Sequence, residues 1–345
     1  MPAMDIEDFN YNLPKELIAQ EPPPSREDSR MMVLVRETGE IRHDRFRCLP
    51  EYLVQGDALV INDSRVIPAR LLGKDLRGRD VEVLLVAERD QGAWEALVRP
   101  SRRVDVGCEI IVSPGEMGVR VVERLEGSKR LVRIEPDGAI LKLLERFGHV
   151  PLPPYIRRPD RPGDRDRYQT LFAREPGSVA APTAGLHFGP DVLQVLETKG
   201  IEIIPVTLHV GPGTFRPIRE KDPSMHTMDA EYYCLTATTA ERLNRVRGKK
   251  GRIVAVGTTA ARTLETAVDG VGAFRKSEGW TDLFIYPPYT FRGLDSLLTN
   301  FHLPKSTLLM LVAAFAGREL ILDAYREAIR EKYRFYSYGD VMLIR

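Results

Sequence analysis

Three titratable side chains lie within six residues of one another in a polar segment of the chain. His226, Asp229 and Glu231 belong to the sequence His-Thr-Met-Asp-Ala-Glu. In an extended backbone successive side chains point to opposite faces, so Asp229 and Glu231 are expected to share a face. Carboxylates and an imidazole grouped in this way are suited to proton transfer. A solvated loop is the alternative that the spacing leaves open.

Two segments combine small residues with a histidine, a pattern typical of backbone that approaches a ligand closely. The first contains Thr183, Gly185, His187 and Phe188, and its alternative is a helix entry with a packed histidine. The second follows a predicted strand and partly matches a dinucleotide fingerprint, but its prolines and Arg216 at the third glycine position argue against a Rossmann site. A ligand loop at a strand end is more plausible. Its candidate binding residues are His209, Gly211, Gly213 and Phe215.

Residues 256–265 have the pattern of a strand, a tight turn and a helix. We predict that Thr258 or Thr259 caps this helix, and that free amides from Gly257 onward favour an anion. Capping without a ligand is the alternative.

Two polar residues, Asn300 and His302, precede an apolar run at 308–316 that predicts a buried helix. They are either hydrogen-bonded core groups or part of a site. Arginines alternate with tyrosines and aspartates in a loop at 155–168. Such a loop is able to follow phosphates and stack bases, although a solvated loop explains it equally well.

The elements that position these residues indicate an α/β (α+β) fold. Between 66 and 148, short β-branched runs alternate with turn signals about every ten residues, which predicts a small antiparallel barrel. The runs are 81–86, 94–98, 109–112, 119–122 and 131–134. From residue 185 onward strands and helices alternate. The predicted strands are 201–206, 252–256, 281–286 and 341–344, and the predicted helices are 191–199, 239–247, 260–268, 307–316 and 321–332. We therefore predict a larger mixed α/β domain, 1–65 and 149–345, with the small β-barrel domain, 66–148, inserted into it.

Composition limits the class of protein. The chain has 345 residues, 43% hydrophobic and 29% charged, and its net charge of +1 does not indicate a nucleic-acid binder. No apolar run is long enough to span a membrane, and the acidic start is unlike a signal peptide. Three scattered cysteines form neither a metal-type pair nor an even disulfide set. We expect a monomeric cytoplasmic protein without a membrane partner.

Taken together, the motifs resemble the S-adenosylmethionine:tRNA ribosyltransferase-isomerase family of queuosine biosynthesis. The resemblance covers nearly the whole chain. In one place the chain departs from the family, which usually has a second histidine where this sequence has Asp229. Any role of that histidine is absent here or is met by a carboxylate. The matching segments are residues 5–13, 59–71, 181–188, 208–215, 256–262, 299–308 and 331–340.

The resemblance implies a reaction on tRNA. The ribosyl part of S-adenosylmethionine is transferred to 7-aminomethyl-7-deazaguanine at the wobble position and isomerised to an epoxy-cyclopentanediol, which gives epoxyqueuosine-tRNA. Adenine and methionine are released. The resemblance implies no metal and no redox cofactor, since S-adenosylmethionine is a co-substrate.

This chemistry assigns expected roles to the candidate residues. The sulfonium acidifies the ribose C5′ protons, so we predict Glu231 or His226 as the general base. Asp229 is expected to help deprotonate the incoming amine, and His187 and His302 to protonate or hydrogen-bond the departing adenine. Aromatic faces attract cations, so Phe188, Phe215 and Tyr286 are expected to face the sulfonium. The amides of residues 257–259 are expected to hold the methionine carboxylate. The predicted substrate-binding residues are Thr183, Gly185, Phe188, His209, Gly211, Gly213, Phe215, Gly257, Thr258, Thr259, Arg262, Tyr286 and Asn300.

The tRNA is expected to contact arginines on both predicted domains. These candidates are Arg99, Arg102 and Arg103 of the barrel and Arg157 and Arg158 of the loop. Two other classes of protein remain as alternatives: an S-adenosylmethionine-binding enzyme that acts on a small molecule, and a non-catalytic RNA-binding protein.

Overall fold

The computed structural model describes residues 4–90, 92–215 and 217–345. Its strands are β1 (Arg30–Leu34), β2 (Ile41–Arg45), β3 (Ala58–Asn62), β4 (Ser64–Val66), β5 (Arg70–Asp75), β6 (Asp80–Asp90), β7 (Ala93–Arg99), β8 (Glu109–Ser113), β9 (Met117–Arg124), β10 (Lys129–Glu135), β11 (Glu175–Ser178), β12 (Glu202–Leu208), β13 (Glu231–Leu235), β14 (Ile253–Val256), β15 (Ser277–Thr281), β16 (Ser296–Asn300) and β17 (Val341–Ile344).

The α-helices are fewer and follow mainly in the second half of the chain. They are α1 (Ile140–Phe147), α2 (Asp164–Arg167), α3 (Pro190–Thr198), α4 (Ala237–Gly248), α5 (Thr258–Ala267), α6 (Thr307–Ala316) and α7 (Arg318–Arg330). No helix in the described part of the chain is long and apolar enough to cross a membrane.

A nine-stranded sheet forms the centre of the larger domain. Its order is β15-β13-β12-β3-β14-β16-β17-β1-β2, and β12, β3, β14 and β16 run parallel to one another. Alternate side chains of each strand point to opposite faces. Met32 and Leu34 of β1 pack on one side with α4 to α7, whereas Met31 and Val33 pack on the other with α3. The predicted α/β fold is confirmed.

The smaller domain is a closed antiparallel barrel. Its six strands follow the order β10-β7-β6-β5-β8-β9 and enclose an apolar core that α1 covers through Leu144. The predicted barrel is confirmed, and its strands lie inside the predicted 66–148 segment. The exact division of the chain into domains stays a prediction.

One predicted strand is wrong. Residues 281–286 were expected to be extended, but β15 ends at Thr281. The backbone beyond β15 is engaged elsewhere, because the guanidinium of Arg262 donates hydrogen bonds to the carbonyl oxygens of Thr281 (3.4 Å) and Leu283 (3.0 Å).

Candidate active site

A cavity of about 330 Å³, here called the main cavity, lies between the barrel and the α/β domain. Its volume is in the range of small-molecule sites. Barrel strands β6, β7 and β10 line one side, and loops at the end of the large sheet line the other. Its chemically distinctive lining residues are Arg89, Trp94, Glu95, Lys129, Gly177, His209, Gly211, Asp229, Glu231, Tyr232 and Trp280.

The sheet topology explains why these loops converge. β3 and β12 are parallel neighbours, so the residues that follow them meet at one edge of the sheet. There Ser64 Oγ lies 2.8 Å from His209 Nδ1. β13 runs antiparallel to β12 and therefore begins, at Glu231, where β12 ends. The structure thus brings Asp229 and Glu231 to one cavity, as their spacing predicts.

Glu231 is a buried carboxylate that has three protein partners and lines the main cavity. One oxygen accepts hydrogen bonds from the Gly211 amide (2.7 Å) and the Thr214 hydroxyl (3.3 Å). The other forms an ion pair with Arg262, whose side chain is also buried. Arg262 was predicted to bind substrate, but its guanidinium is occupied by Glu231 and two backbone carbonyls. Its observed contacts anchor the floor of the cavity.

Asp229 is more accessible than Glu231. One of its oxygens lies 3.1 Å from the ammonium of Lys129, which belongs to the barrel. The other packs against Gly213, where an added Cβ would lie only 2.4 Å from it. Glycine at position 213 therefore leaves the room that this carboxylate occupies.

His209 lines the main cavity as a neutral imidazole. Burial lowers the pKa of His209 below its ordinary value. The ring stacks on Tyr232 with centroids 5.5 Å apart, and its Nδ1 is close to Ser64. Gly177 borders the ring so closely that a Cβ there would lie 2.7 Å from Nε2. The predicted binding histidine is thus held by packing on several sides.

His226, the alternative general base, does not line the main cavity. Its Nδ1 lies 3.1 Å from Glu220, and its ring contacts Phe284 edge to face at 5.4 Å. His226 and Asp229 are three residues apart, yet the imidazole contacts Glu220 and Phe284 whereas the carboxylate contacts Lys129 in the main cavity.

His187 and Asn300 form a buried network behind the sheet. His187 Nδ1 lies 2.8 Å from Ser29 Oγ, and Nε2 lies 3.1 Å from the Asn300 amide. Asn300 also accepts a hydrogen bond from Thr183 (2.8 Å) and donates to the Tyr336 carbonyl (3.2 Å). Both ring nitrogens of His187 are engaged. The predicted role of His187 toward adenine is therefore not supported. Its contacts fit the alternative, a packed histidine at a helix entry.

His302 borders a second, much smaller cavity of about 30 Å³, together with Thr183 and Asn300. That volume holds about one water molecule. The Nε2 of His302 lies 2.7 Å from Thr299 Oγ1. Burial lowers the pKa of His302 to about 3, so the ring is neutral at pH 7 and has no proton to give as an imidazolium.

The two buried histidines are expected to make the protein sensitive to mild acid. Burial also lowers the pKa of His187 to about 3, with the charges of Arg334 and Arg26 adding to the effect. In the unfolded chain both groups titrate near pH 6.5. Below that pH only the unfolded state takes up the two protons. The free energy of unfolding should then fall by up to about 2.7 kcal/mol per pH unit as pH decreases toward 5.

Urea unfolding at pH 7, 6 and 5 measures this dependence. H187N removes one of the two groups and should reduce the slope by about half. A slope unchanged in that variant would contradict the neutral buried state of His187.

The predicted anion site at the start of α5 is not supported. The N-cap is Gly257, with φ 89°, and no side chain caps the helix, so the predicted threonine cap is wrong. The Gly257 amide already donates to the Leu298 carbonyl at 2.7 Å. Thr258 and Thr259 are buried, and Thr259 Oγ1 accepts a hydrogen bond from Asn62. A left-handed Gly257 makes the tight turn possible without a ligand.

The aromatic residues predicted to face a sulfonium lie elsewhere. Phe188 is fully buried against Phe46 and Phe172, and Gly185 packs near Thr170 in the same region. Tyr286 contacts Phe284 outside the main cavity. The side chain of Phe215, like all of Arg216, lies outside the described residues.

The aromatic residues that line the main cavity are different ones. Trp94, Tyr232 and Trp280 line the main cavity, and the indole N–H of Trp94 is buried without a hydrogen-bond partner among the described groups. These two tryptophans are the only ones in the sequence. Their scarcity was an available signal that the sequence analysis did not use.

The predicted tRNA-binding arginines divide into two sets. Arg99 and Arg157 line a cleft of about 730 Å³ with Pro151, Pro153 and Pro154, here called the arginine–proline cleft. Both are exposed, and no carboxylate in the described part of the chain pairs with them.

The other arginines differ in their surroundings. Arg158 is nearly buried and forms a bidentate ion pair with Asp164 at 2.6 and 2.8 Å, so its predicted phosphate contact is not supported. Its partner raises the pKa of Arg158 further above its usual range. Arg102 and Arg103 are exposed in a short 3-10 helix after β7 and do not line the cleft.

No group of three or more histidine, cysteine, aspartate or glutamate side chains in residues 4–90, 92–215 and 217–345 is arranged to hold a metal ion.

The fold defines a mixed α/β protein in which a closed barrel accompanies a larger sheet, with a cavity lined by residues of both. The chain belongs to the family of queuosine biosynthesis proteins, whose model matches residues 6–344. It is 53% identical to the S-adenosylmethionine:tRNA ribosyltransferase-isomerase of Moorella thermoacetica over 343 residues, which cover 99% of this chain and 100% of that protein. A protein of the same name from Symbiobacterium thermophilum is 52% identical over 342 residues, with coverage of 99% and 100%.

A solved structure agrees with this membership. The crystal structure of S-adenosylmethionine tRNA ribosyltransferase from Thermotoga maritima is 40% identical, covers 98% of this chain and 100% of its own, and superimposes with a TM-score of 0.57. At this identity the likeness extends to family as well as fold.

Proposed function

We propose that this chain is an S-adenosylmethionine:tRNA ribosyltransferase-isomerase of queuosine biosynthesis. Its substrates are S-adenosylmethionine and a tRNA with 7-aminomethyl-7-deazaguanine at the wobble position. Its products are epoxyqueuosine-tRNA, adenine and methionine, formed without a metal or redox cofactor. The observation that carries the proposal is the full-length identity of about half to relatives of that name, with Glu231, Asp229 and His209 of this chain meeting in one cavity.

The main cavity has the groups that a sulfonium substrate requires. A cation is stabilised by aromatic faces and by carboxylates, and Trp94, Tyr232 and Trp280 provide the former. Glu231 and Asp229 provide the latter on the α/β side. In this proposal Glu231 removes the C5′ proton, and Asp229 receives the proton of the attacking amine. His209, neutral and packed, is a further hydrogen-bonding group in place of His226.

The tRNA is proposed to enter from the arginine–proline cleft. Sequence-specific RNA recognition generally uses an unstacked loop base, so the modified base must leave its stack to enter the main cavity. Pro212 lines both the cleft and the main cavity, which makes the two neighbours. Exposed Arg99 and Arg157 then face the backbone of the anticodon loop.

Release of adenine and methionine from S-adenosylmethionine tests the proposal. Release should require tRNA that carries the modified base, and should be absent with unmodified tRNA. Release with the free deazaguanine base alone would favour a small-molecule enzyme. No release under any condition, together with retained tRNA binding, would favour a non-catalytic RNA-binding protein.

A further inference from the structure

A lysine of the barrel connects the two domains inside the main cavity. The ammonium of Lys129, at the start of β10, lies 2.8 Å from Glu95 of β7 and 3.1 Å from Asp229 of the α/β domain. We call Glu95, Lys129 and Asp229 the Lys129 bridge. All three residues line the cavity.

The barrel end of the bridge is firmly held. Glu95 is 5% exposed, and its second oxygen lies 2.5 Å from Arg89. The Arg89 guanidinium in turn lies 5.2 Å from the ring centre of Trp280, across the cavity. Two barrel cations therefore flank one buried carboxylate, and each also contacts a residue of the α/β domain.

The α/β end of the bridge depends on Lys129. Asp229 has Lys129 on one oxygen and the Gly213 backbone close to the other. Burial alone would lower the pKa of Lys129, but hydrogen bonds from its ammonium to Glu95 and Asp229 outweigh burial and raise it. The ammonium accordingly keeps its charge and is not a proton acceptor at neutral pH.

We propose that Lys129 is a positioning residue that orients the Asp229 carboxylate toward the incoming amine and fixes the barrel side of the cavity against it. This inference rests on the proposed function. The bridge also accounts for the carboxylate at position 229. The fixed ammonium of Lys129 compensates the negative charge of Asp229, a charge that a neutral histidine at this position would not carry. A displacement of about 1 Å in such a group is able to cost about a hundredfold in rate.

K129M removes the charge and keeps most of the aliphatic stem. We expect it to lower kcat for adenine release on modified tRNA by about tenfold or more, with little change in the KM for S-adenosylmethionine. K129R keeps the charge and should recover most of the activity. K142M, at an exposed lysine of α1, is the matched control and should behave as wild type.

A double-variant cycle separates positioning from a general effect on folding. If Lys129 acts through Asp229, K129M should cost less than about twofold once D229N is present. Wild-type kcat in K129M, or an equal loss in the D229N background, would overturn the proposal.

Tryptophan emission provides a readout that does not need activity. Trp94 is on the barrel side and Trp280 on the α/β side of the cavity. K129M and D229N should shift the emission to longer wavelength by similar amounts, and the double variant should add little. No shift in either variant would overturn the bridge. If both variants show the shift but the wild-type protein releases no adenine, the result would contradict the proposed function and leave the bridge in place.

Discussion

The variant E231Q is expected to lower adenine release by at least about a hundredfold, because a general base typically contributes 10²- to 10⁴-fold. Glutamine keeps the size of the side chain and an oxygen for the Gly211 amide, but it has no charge for Arg262. Breaking one half of a buried ion pair costs about 3–5 kcal/mol. Turnover must therefore be measured per folded molecule, with the folded fraction from circular dichroism.

Two further variants separate chemistry from stability. E231Q/R262M removes both buried charges and should regain much of the lost stability while it stays inactive. D57N breaks another ion pair, between the buried carboxylate of Asp57 and the partly exposed Arg252, at the opposite end of β3 and β14. It should lower stability but keep turnover per folded molecule. Normal turnover in E231Q, or recovery of turnover in E231Q/R262M, would show that Glu231 is not the base.

The elements with the strongest local patterns were predictable from the sequence. The apolar run before residue 316 becomes α6, and the β-branched runs between turn signals become five of the six barrel strands. β5 was missed because Leu72 and Gly73 interrupt its pattern, and β16 because both of its faces are covered. A strand covered on both faces, such as β16, lacks the alternation of apolar and polar residues that marks a half-exposed strand.

The site was predictable only in part, for a physical reason. Local motifs in two segments identified Asp229, Glu231 and the His209 loop, which meet at one edge of the sheet. The barrel half of the cavity was missed, since Lys129 meets Asp229 across 100 positions of sequence. His187 and His302 were wrongly expected to take part in the chemistry. Both are neutral groups of the core because they are buried, and their burial depends on packing by distant segments, which local sequence does not reveal.

Charge reversal in the arginine–proline cleft is expected to weaken tRNA binding without weakening S-adenosylmethionine binding. R99E and R157E should each lower tRNA affinity several-fold, and the double variant by about tenfold or more at physiological salt. Each lost phosphate contact should also reduce the slope of log affinity against log salt by about 0.7 to 0.9. Filter binding or anisotropy at several salt concentrations measures both quantities.

The choice of arginines makes this result interpretable. Arg158 is excluded, because reversing its charge would place two carboxylates where Asp164 now has a bidentate partner. R245E, at an exposed position on α4 that does not line the cleft, makes the same change in net charge and is the control. A change in net charge weakens tRNA binding wherever on the surface it is made. An equal loss of tRNA affinity in R245E would therefore mean that the cleft does not hold the tRNA. A loss confined to Arg99 and Arg157, with adenine release restored at high tRNA concentration, would place the RNA backbone along the cleft that borders Pro212.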